Sequence, residues 1–193
     1  MNETLTIPRL LNERVIRGSA VTNVMLVVAA SAIIAIAAQI AISVPFSPVP
    51  LTMQPLAVLL VGVILGSKRG AAAAILYLLE GASGAPVFAQ LHGGAVWLAG
   101  ATAGYLWSYP FAAFVAGWFS EKNWGSTIAP AVAGMLVALG VIYLGGWSWL
   151  AVLTGARNAF VAGVAPFVIA DVVKIAIAAA LLPQAQRVIA KVT

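Results

Sequence analysis

Hydrophobic residues occur along this chain in long runs, separated by short stretches that are rich in glycine, proline or charge. A run of about 20 apolar residues is long enough to cross a bilayer as a helix. The pattern therefore predicts an all-α integral membrane protein, in which residues 1–193 form a single membrane domain with six transmembrane helices. The predicted helices cover about 21–43, 52–66, 71–79, 101–119, 128–144 and 165–182.

Two polar interruptions separate the first three helices. Pro45, Pro48 and Pro50 end the first helix, because proline lacks the backbone donor that a helix needs. Lys68 and Arg69 are assigned to a cytoplasmic turn, since burying either one at the bilayer centre costs about 2.5–3.5 kcal/mol. The first run, at about 24 residues, exceeds the roughly 7–15 apolar residues of a cleavable signal sequence, so we interpret it as a retained helix.

Two longer connections lie on the opposite side from that turn. Residues 82–100 are rich in glycine but also contain apolar side chains such as Val87 and Leu91, which a solvated linker avoids. We expect this segment to fold back over the outer mouth of the bundle as a lid. The stretch that begins with GGWSW is interpreted as another outer loop, and the last helix begins at Ala165 or Pro166, because proline is tolerated in a first turn.

Composition and charge support this picture. Hydrophobic residues make up 63% of the chain, against roughly half in soluble domains, and the mean hydropathy is +1.05. The absence of cysteine excludes disulfides and thiolate metal sites. Eight basic residues fall on one side of the predicted membrane, which the positive-inside rule assigns to the cytoplasm together with both termini and segment 1–20. These are Arg9, Arg14, Arg17, Lys68, Arg69, Lys122, Arg187 and Lys191. This distribution accounts for the net charge of +5, and we expect no nucleic-acid partner.

Asp171 and Lys174 lie inside the last hydrophobic run, about 7 Å and about 12 Å below its outer end at 1.5 Å per helical residue. Residues three apart share a helix face, so both side chains can point into one cavity. A self-neutralising pair or an interhelical bridge is the alternative. Ionisable groups inside membranes usually line a cavity or pathway, which favours a functional site.

Other polar residues carry weaker signals. His92 is the only histidine and has no second ligand at metal-binding spacing, so we expect no metal site. Arg157 is expected in an outer loop at the membrane interface, although it can reach a carboxylate. Glu80 is expected to be solvated near the outer interface, with a role in the site as the alternative. The segment GVILGSKR lacks the spacing of a phosphate-binding loop, and no catalytic motif is present, so we expect neither ATP hydrolysis nor another enzymatic activity from this chain.

The first helix carries small residues at four-residue spacing, a pattern that allows another membrane helix to approach closely. A docking face for a partner is one interpretation, and chance matches in an alanine-rich helix are the other. The two pairs are Ser31 with Ala35 and Ala37 with Ala41.

Four motifs, in this order, resemble the BioY family, the biotin-specific substrate-binding (S) components of energy-coupling-factor (ECF) transporters. The PVPxTxQ motif is matched by residues 48–54, and GxPVF by residues 84–88. The motif GPTGGYL reads GATAGYL here, and PFxxGDxxK reads PFVIADVVK, with Ala170 in place of glycine. These departures affect backbone shape rather than the charged pair.

The resemblance implies a six-helix protein of a prokaryotic cell membrane that captures biotin from outside. It implies a transmembrane coupling subunit and two ATPase subunits as partners, with ATP used only by those partners and no covalently bound cofactor. It also favours the docking interpretation for the small residues of the first helix. Alternatives are an S component for another water-soluble vitamin, or a small membrane-embedded enzyme or lipid-binding scaffold.

Biotin's ureido ring offers two N–H donors and a carbonyl acceptor, so Asp171 is expected to accept a hydrogen bond from it and Lys174 to donate one. Binding of the valerate carboxylate by Lys174 is the alternative. The aromatic side chains expected to wall the apolar part of the cavity are Phe88, Trp97 and Tyr105. The side-chain candidates for the carboxylate, besides lid N–H groups, are Gln90, His92 and Arg157.

Overall fold

The computed structural model describes residues 20–122 and 129–192, with side chains as far as residue 180. We number the elements in chain order: α1 (Ala20–Gln39), β1 (Ala41–Ile42), β2 (Leu51–Thr52), α2 (Gln54–Leu65), α3 (Ser67–Ala82), α4 (Ala103–Glu121), α5 (Ala129–Thr154), α6 (Ala156–Gly163) and α7 (Ala165–Val192). Two short 3-10 helices, Ala89–Leu91 and Ala95–Leu98, lie between α3 and α4.

Several of the predicted cytoplasmic residues lie outside this description. The segment 1–19 and its three arginines, Arg9, Arg14 and Arg17, are outside the described residues. The side chains of Arg187 and Lys191 are outside them as well.

The described residues form seven helices where six were predicted. Helices α1 and α5 are each long and apolar enough to cross a bilayer, and α6 with α7 qualifies as one span bent by 40° at the break between them. The helix α2, with 12 residues, is apolar but shorter. If the bent pair is counted as one, the described residues contain six α-helical units, and their number of membrane crossings stays a prediction.

The largest departure from the predicted boundaries is at α5, which continues to Thr154 instead of ending near residue 144. The glycines of the GGWSW stretch do not break the helix, because α5 uses them to approach α4 closely. A Cβ on Gly145 would lie 2.8 Å from the Cβ of Ser108, and one on Gly146 would lie 2.1 Å from the ring of Tyr105. The helix α6 then occupies part of the predicted outer loop.

The first outer connection contains a small antiparallel hairpin. Ala41 of β1 pairs with Thr52 of β2, and Ile42 pairs with Leu51. The first helix ends at Gln39 rather than near residue 43, so the prediction that Ala41 continues the helical spacing from Ala37 is wrong. The hairpin is an addition to the predicted all-α fold.

The turn between α2 and α3 is shorter than predicted and occurs at Gly66, whose φ of 83° lies in the left-handed region. Lys68 and Arg69 belong to the first turn of α3. Glu121, at the end of α4, accepts hydrogen bonds from the Ser67 backbone N–H (2.6 Å) and from its hydroxyl. A carboxylate at a helix N-terminus satisfies free N–H groups and complements the helix dipole.

Helix α4 lies at the centre of the bundle, where it packs against α2, α3 and α5. Its contact face includes the fully buried small residues Ala112, Ala113 and Ala116, which let the neighbouring helices come close. Helix α1 is peripheral, packs mainly on α3, and exposes large apolar side chains such as Met25, Ile33 and Ile36. Such an exposed apolar face is expected of a helix that faces lipid.

Candidate ligand-binding site

The charged pair of the last helix forms an ion pair inside the protein. Lys174 Nζ lies 2.7 Å from Asp171 Oδ1, and the two side chains are 14% and 7% exposed, respectively. Their spacing of three residues on α7 brings the groups together on one face, as the sequence predicted.

Each member of the pair has a second partner on another element. The hydroxyl of Tyr143 on α5 donates to Asp171 Oδ2 over 2.6 Å. Lys174 Nζ also donates to the backbone carbonyl of Thr52, in β2, over 2.7 Å. The pair therefore connects α7 to α5 and to the hairpin, and both charges are hydrogen-bonded as well as paired, which a buried ion pair requires.

A cavity of about 50 Å³ adjoins Asp171. It lies between the hairpin, the start of α2, and helices α4, α5 and α7. Apolar side chains and three tyrosines form most of its wall, and Asp171 is the charged residue in it. The lining residues are Val49, Pro50, Leu51, Thr52, Pro55, Thr102, Tyr105, Leu106, Tyr109, Ile142, Tyr143, Phe167 and Asp171.

The proline-rich segment, which was predicted as the first outer connection and overlaps the PVPxTxQ motif, forms one wall of this cavity. Ser47 fixes its shape: its hydroxyl accepts from the Val49 N–H over 3.0 Å and donates to the Ala162 carbonyl on α6 over 2.7 Å. At the start of α2, the Thr52 hydroxyl accepts from the Gln54 N–H over 3.3 Å. Side chain–backbone bonds of this kind stabilise turns and helix starts.

The predicted lid, residues 82–100, contributes no residue to the wall of this cavity. It is held instead at the end of α1. The side-chain amide of Gln39 donates to the carbonyls of Val87 (3.2 Å) and Phe88 (3.1 Å), and its oxygen accepts from the Leu91 N–H over 2.9 Å. Gln90 and Leu91 have φ of 62° and 58°, a left-handed backbone conformation that few residues other than glycine adopt. The hydrogen bonds from Gln39 help to hold this conformation.

The four lid residues proposed for ligand binding are therefore not in the wall of this cavity. Phe88 is buried and packs edge-on against Tyr77, with ring centroids 5.5 Å apart. Gln90 is exposed and donates to the Ser43 hydroxyl over 2.6 Å. His92 stacks on Trp97 with ring centroids 3.9 Å apart. Their contact with a ligand stays a prediction, which the arrangement of the described residues does not favour.

The remaining candidates are divided between the cavity and the surface. Tyr105 lines the cavity, as expected, and its hydroxyl donates to the Gly163 carbonyl over 2.6 Å. Arg157 is exposed in the first turn of α6. Among the described residues, no group of three or more His, Cys, Asp or Glu side chains is placed to hold a metal ion.

The predicted docking residues of α1 differ in their exposure. Ser31 is fully buried and donates a hydrogen bond of 2.5 Å to Glu80 Oε2 on α3. Its side chain is therefore not part of an exposed docking face, and Glu80 is not simply solvated. Ala35 and Ala37 are half-buried, and Ala41 lies in β1. Docking of a partner through Ala35 and Ala37 stays a prediction.

Sequence reasoning missed Tyr143, Tyr109 and the hairpin carbonyl of Thr52. Tyr143 gave a weak signal, as a tyrosine within the apolar run of α5, but nothing in its position specifies a partner 28 residues away. The Thr52 contact gave no side-chain signal, because a backbone carbonyl makes it.

A helical bundle with a largely apolar cavity and one paired carboxylate is typical of a membrane protein with a small-solute site among its helices. The sequence profile described as the BioY family matches residues 8–191, and the chain belongs to that family. The prediction of a helical membrane protein of this family is confirmed.

Similar proteins cover most of the chain. A protein named probable biotin transporter BioY from Pyrococcus horikoshii is 40% identical over 164 residues, which are 85% of this chain and 96% of that protein. The biotin transporter BioY of Thermotoga maritima is 40% identical over 142 residues, covering 72% of this chain and 81% of that protein. A crystal structure of the S-component for biotin from an ECF-type ABC transporter matches with a TM-score of 0.78 at 21% identity, covering 86% of this chain and 92% of that one. This last likeness establishes the fold.

Proposed function

We propose that this chain is the biotin-binding S component of an ECF-type importer. Membership of the BioY family supports the proposal, and so do relatives that are named biotin transporters and match this chain along most of their length. The observation that carries it is the position of Asp171, a hydrogen-bonded carboxylate in the wall of an otherwise largely apolar cavity.

This chemistry suits the two ends of biotin's ring system. A carboxylate has about four acceptor positions, and Tyr143 and Lys174 occupy two of those on Asp171. The others are available to the ureido N–H groups, and a hydrogen bond to a charged acceptor is stronger than a neutral one. The thiophane ring and the valeryl chain pack against apolar wall residues such as Leu106 and Ile142.

Lys174 has a different relation to the ligand. It is not one of the cavity-lining residues, and two of its three N–H donors are directed to Asp171 and to the Thr52 carbonyl. The third is available to the ureido oxygen once the hairpin shifts. Whether or not Lys174 bonds the ligand directly, its charge compensates that of Asp171. The site therefore accepts an uncharged ureido group without leaving a net buried charge.

Ligand entry requires movement of the wall. The cavity of about 50 Å³ holds a few water molecules and is much smaller than the roughly 300–1,000 Å³ of small-molecule pockets. The hairpin is the segment we propose to move, because its strands have two residues each and it is fastened by few bonds, among them those of Lys174 and Ser47. Contact of Phe88, Gln90, Trp97, His92 and Arg157 with the ligand stays a prediction, since none of them lines the cavity.

The assembly and orientation form the second part of the proposal. A transmembrane coupling subunit and two ATPase subunits supply the ATP-driven step, in the cell membrane of a prokaryote, with both termini in the cytoplasm. The positions of Lys68 and Arg69 at the start of α3 support this orientation by the positive-inside rule. The proposed docking surface lies on α1, where Ala35 and Ala37 of the predicted small-residue pattern are half-buried and Ala29 and Ala32 are exposed.

The test is biotin binding by the purified full chain, measured by calorimetry. Biotin is titrated first without a competitor and then in the presence of other vitamins. Asp171→Asn and Lys174→Ala are expected to weaken binding by about 10- to 100-fold, the range for hydrogen bonds to charged groups. Glu80→Gln is the matched control, since it neutralises a half-buried carboxylate that is not in the cavity wall. Preferential binding of another vitamin would change the assigned substrate. A stable chain that binds none would favour an enzyme or a lipid-binding scaffold.

A further inference from the structure

The carboxylate of Asp171 is held from two sides by groups on different elements. Lys174, on the same helix, approaches Oδ1, and the hydroxyl of Tyr143, on α5, approaches Oδ2. Among the described side chains, the Tyr143 hydroxyl makes the one hydrogen bond that joins α5 to α7. It therefore fixes the carboxylate relative to the opposite wall of the cavity, which Lys174 cannot do from the same helix.

The geometry limits how the carboxylate can turn. The terminal torsion of an aspartate is broad, so a single hydrogen bond leaves the carboxylate plane poorly defined. Two donors, one on each oxygen, restrict that rotation and leave the remaining acceptor positions in a defined direction. Since Tyr143 and Asp171 both line the cavity, those positions are available to a ligand there.

We propose that Tyr143 is a positioning residue for ligand binding, which acts by orienting the Asp171 carboxylate toward the N–H donors of the ligand. The inference rests on the proposed function for the identity of the ligand, and the contact between the two residues is independent of it. Tyr143→Phe removes the hydroxyl and keeps the ring, so the packing of α5 is preserved.

Asp171 is the only aspartate of the chain, so its carboxylate can be observed alone. Protein labelled with ¹³C at the aspartate carboxyl carbon gives one infrared carboxylate signal. Tyr143→Phe is expected to shift that signal, because the carboxylate loses a strong donor. Tyr105→Phe removes a hydroxyl from the same cavity that is bonded to the Gly163 carbonyl instead, and is expected to leave the signal in place. A carboxylate signal unchanged by Tyr143→Phe overturns the inference.

Binding of biotin provides the second readout. Tyr143→Phe is expected to raise the Kd for biotin by about 10-fold or more, the effect of losing a hydrogen bond to a charged group. Ser148→Ala removes another hydroxyl from α5, one that bonds only the Leu144 carbonyl, and should not change the Kd. Wild-type affinity in Tyr143→Phe overturns the inference and leaves the proposed function standing. Failure of the wild-type chain to bind biotin overturns the proposed function, and with it the role of Tyr143 in biotin binding.

Discussion

Lys174 on α7 donates a hydrogen bond of 2.7 Å to the backbone carbonyl of Thr52, at the end of the hairpin that walls the cavity. The same ammonium group forms the ion pair with Asp171. One side chain thus compensates the charge of the proposed binding carboxylate and fastens the segment that covers it. The ion pair with Asp171 and the attachment of the hairpin therefore depend on the same ammonium group.

The first prediction concerns this ion pair. Lys174→Met leaves Asp171 as a buried carboxylate without a cation and should lower the free energy of unfolding by about 3–5 kcal/mol. Adding Asp171→Asn removes the uncompensated charge, so the double variant should recover most of that loss. Unfolding in detergent, followed by tryptophan fluorescence, measures both effects. A double variant as unstable as Lys174→Met would contradict this account.

The second prediction concerns the hairpin. Ser47→Ala removes the bonds to Val49 and to the Ala162 carbonyl, so the hairpin should open more often. Biotin should then dissociate about 2- to 10-fold faster, which corresponds to the net value of a hydrogen bond. Ser83→Ala removes a hydroxyl that bonds the Glu80 carbonyl away from the cavity and should leave the rate unchanged. Equal dissociation rates in wild type and Ser47→Ala would argue against the hairpin as the entry route.

The third prediction concerns the end of α1. Gln39→Leu removes the side-chain bonds to Val87, Phe88 and Leu91 while keeping a side chain of similar size. Hydrogen exchange should accelerate at the Leu91 amide, which then loses its acceptor, and should stay unchanged in the middle of α4. Since this loop does not line the cavity, biotin affinity should change much less than in Asp171→Asn. A large loss of affinity would instead restore the loop as the lid of the site.

The fourth prediction concerns close packing between α4 and α5. A Cβ on Gly146 would lie 2.1 Å from the ring of Tyr105, whereas a Cβ on Gly140 of the same helix meets nothing within 4 Å. Gly146→Ala should therefore destabilise the protein by about 1–3 kcal/mol through overpacking and weaken biotin binding by displacing Tyr105. Gly140→Ala should be neutral or slightly stabilising, because alanine favours helix more than glycine does. Equal stability of the two variants would contradict the packing described here.

Local features of the site were predictable from the sequence. The spacing of Asp171 and Lys174 fixes their pairing within one helix turn, and hydropathy together with the start signal at Pro166 places that turn inside the membrane. The cavity position of Tyr105 followed from the family resemblance. These statements depend on local geometry or on motifs that occupy a few consecutive residues.

The remaining features depend on contacts between distant segments. Glycines in GGWSW normally interrupt a helix, but the tight approach of α4 gives them a packing role and α5 continues. The glycine-rich segment was assigned as the lid because it is long and apolar, whereas bonds from Gln39 hold it at α1 and the shorter hairpin walls the cavity. Likewise, the four-residue spacing of the small residues Ser31 and Ala35 does not specify which helix packs against them. In the structure, α3 is the neighbour of Ser31.

The most direct test of the central claim compares biotin with an analogue methylated on its ureido nitrogens, in wild type and in Asp171→Asn. If the Asp171 carboxylate accepts the ureido N–H groups, wild type should bind biotin about 10- to 100-fold more tightly than the analogue. Asp171→Asn should lose most of that preference. A wild-type chain that binds both compounds equally, or an unchanged preference in Asp171→Asn, would contradict the assignment of Asp171 as the group that binds the ureido ring.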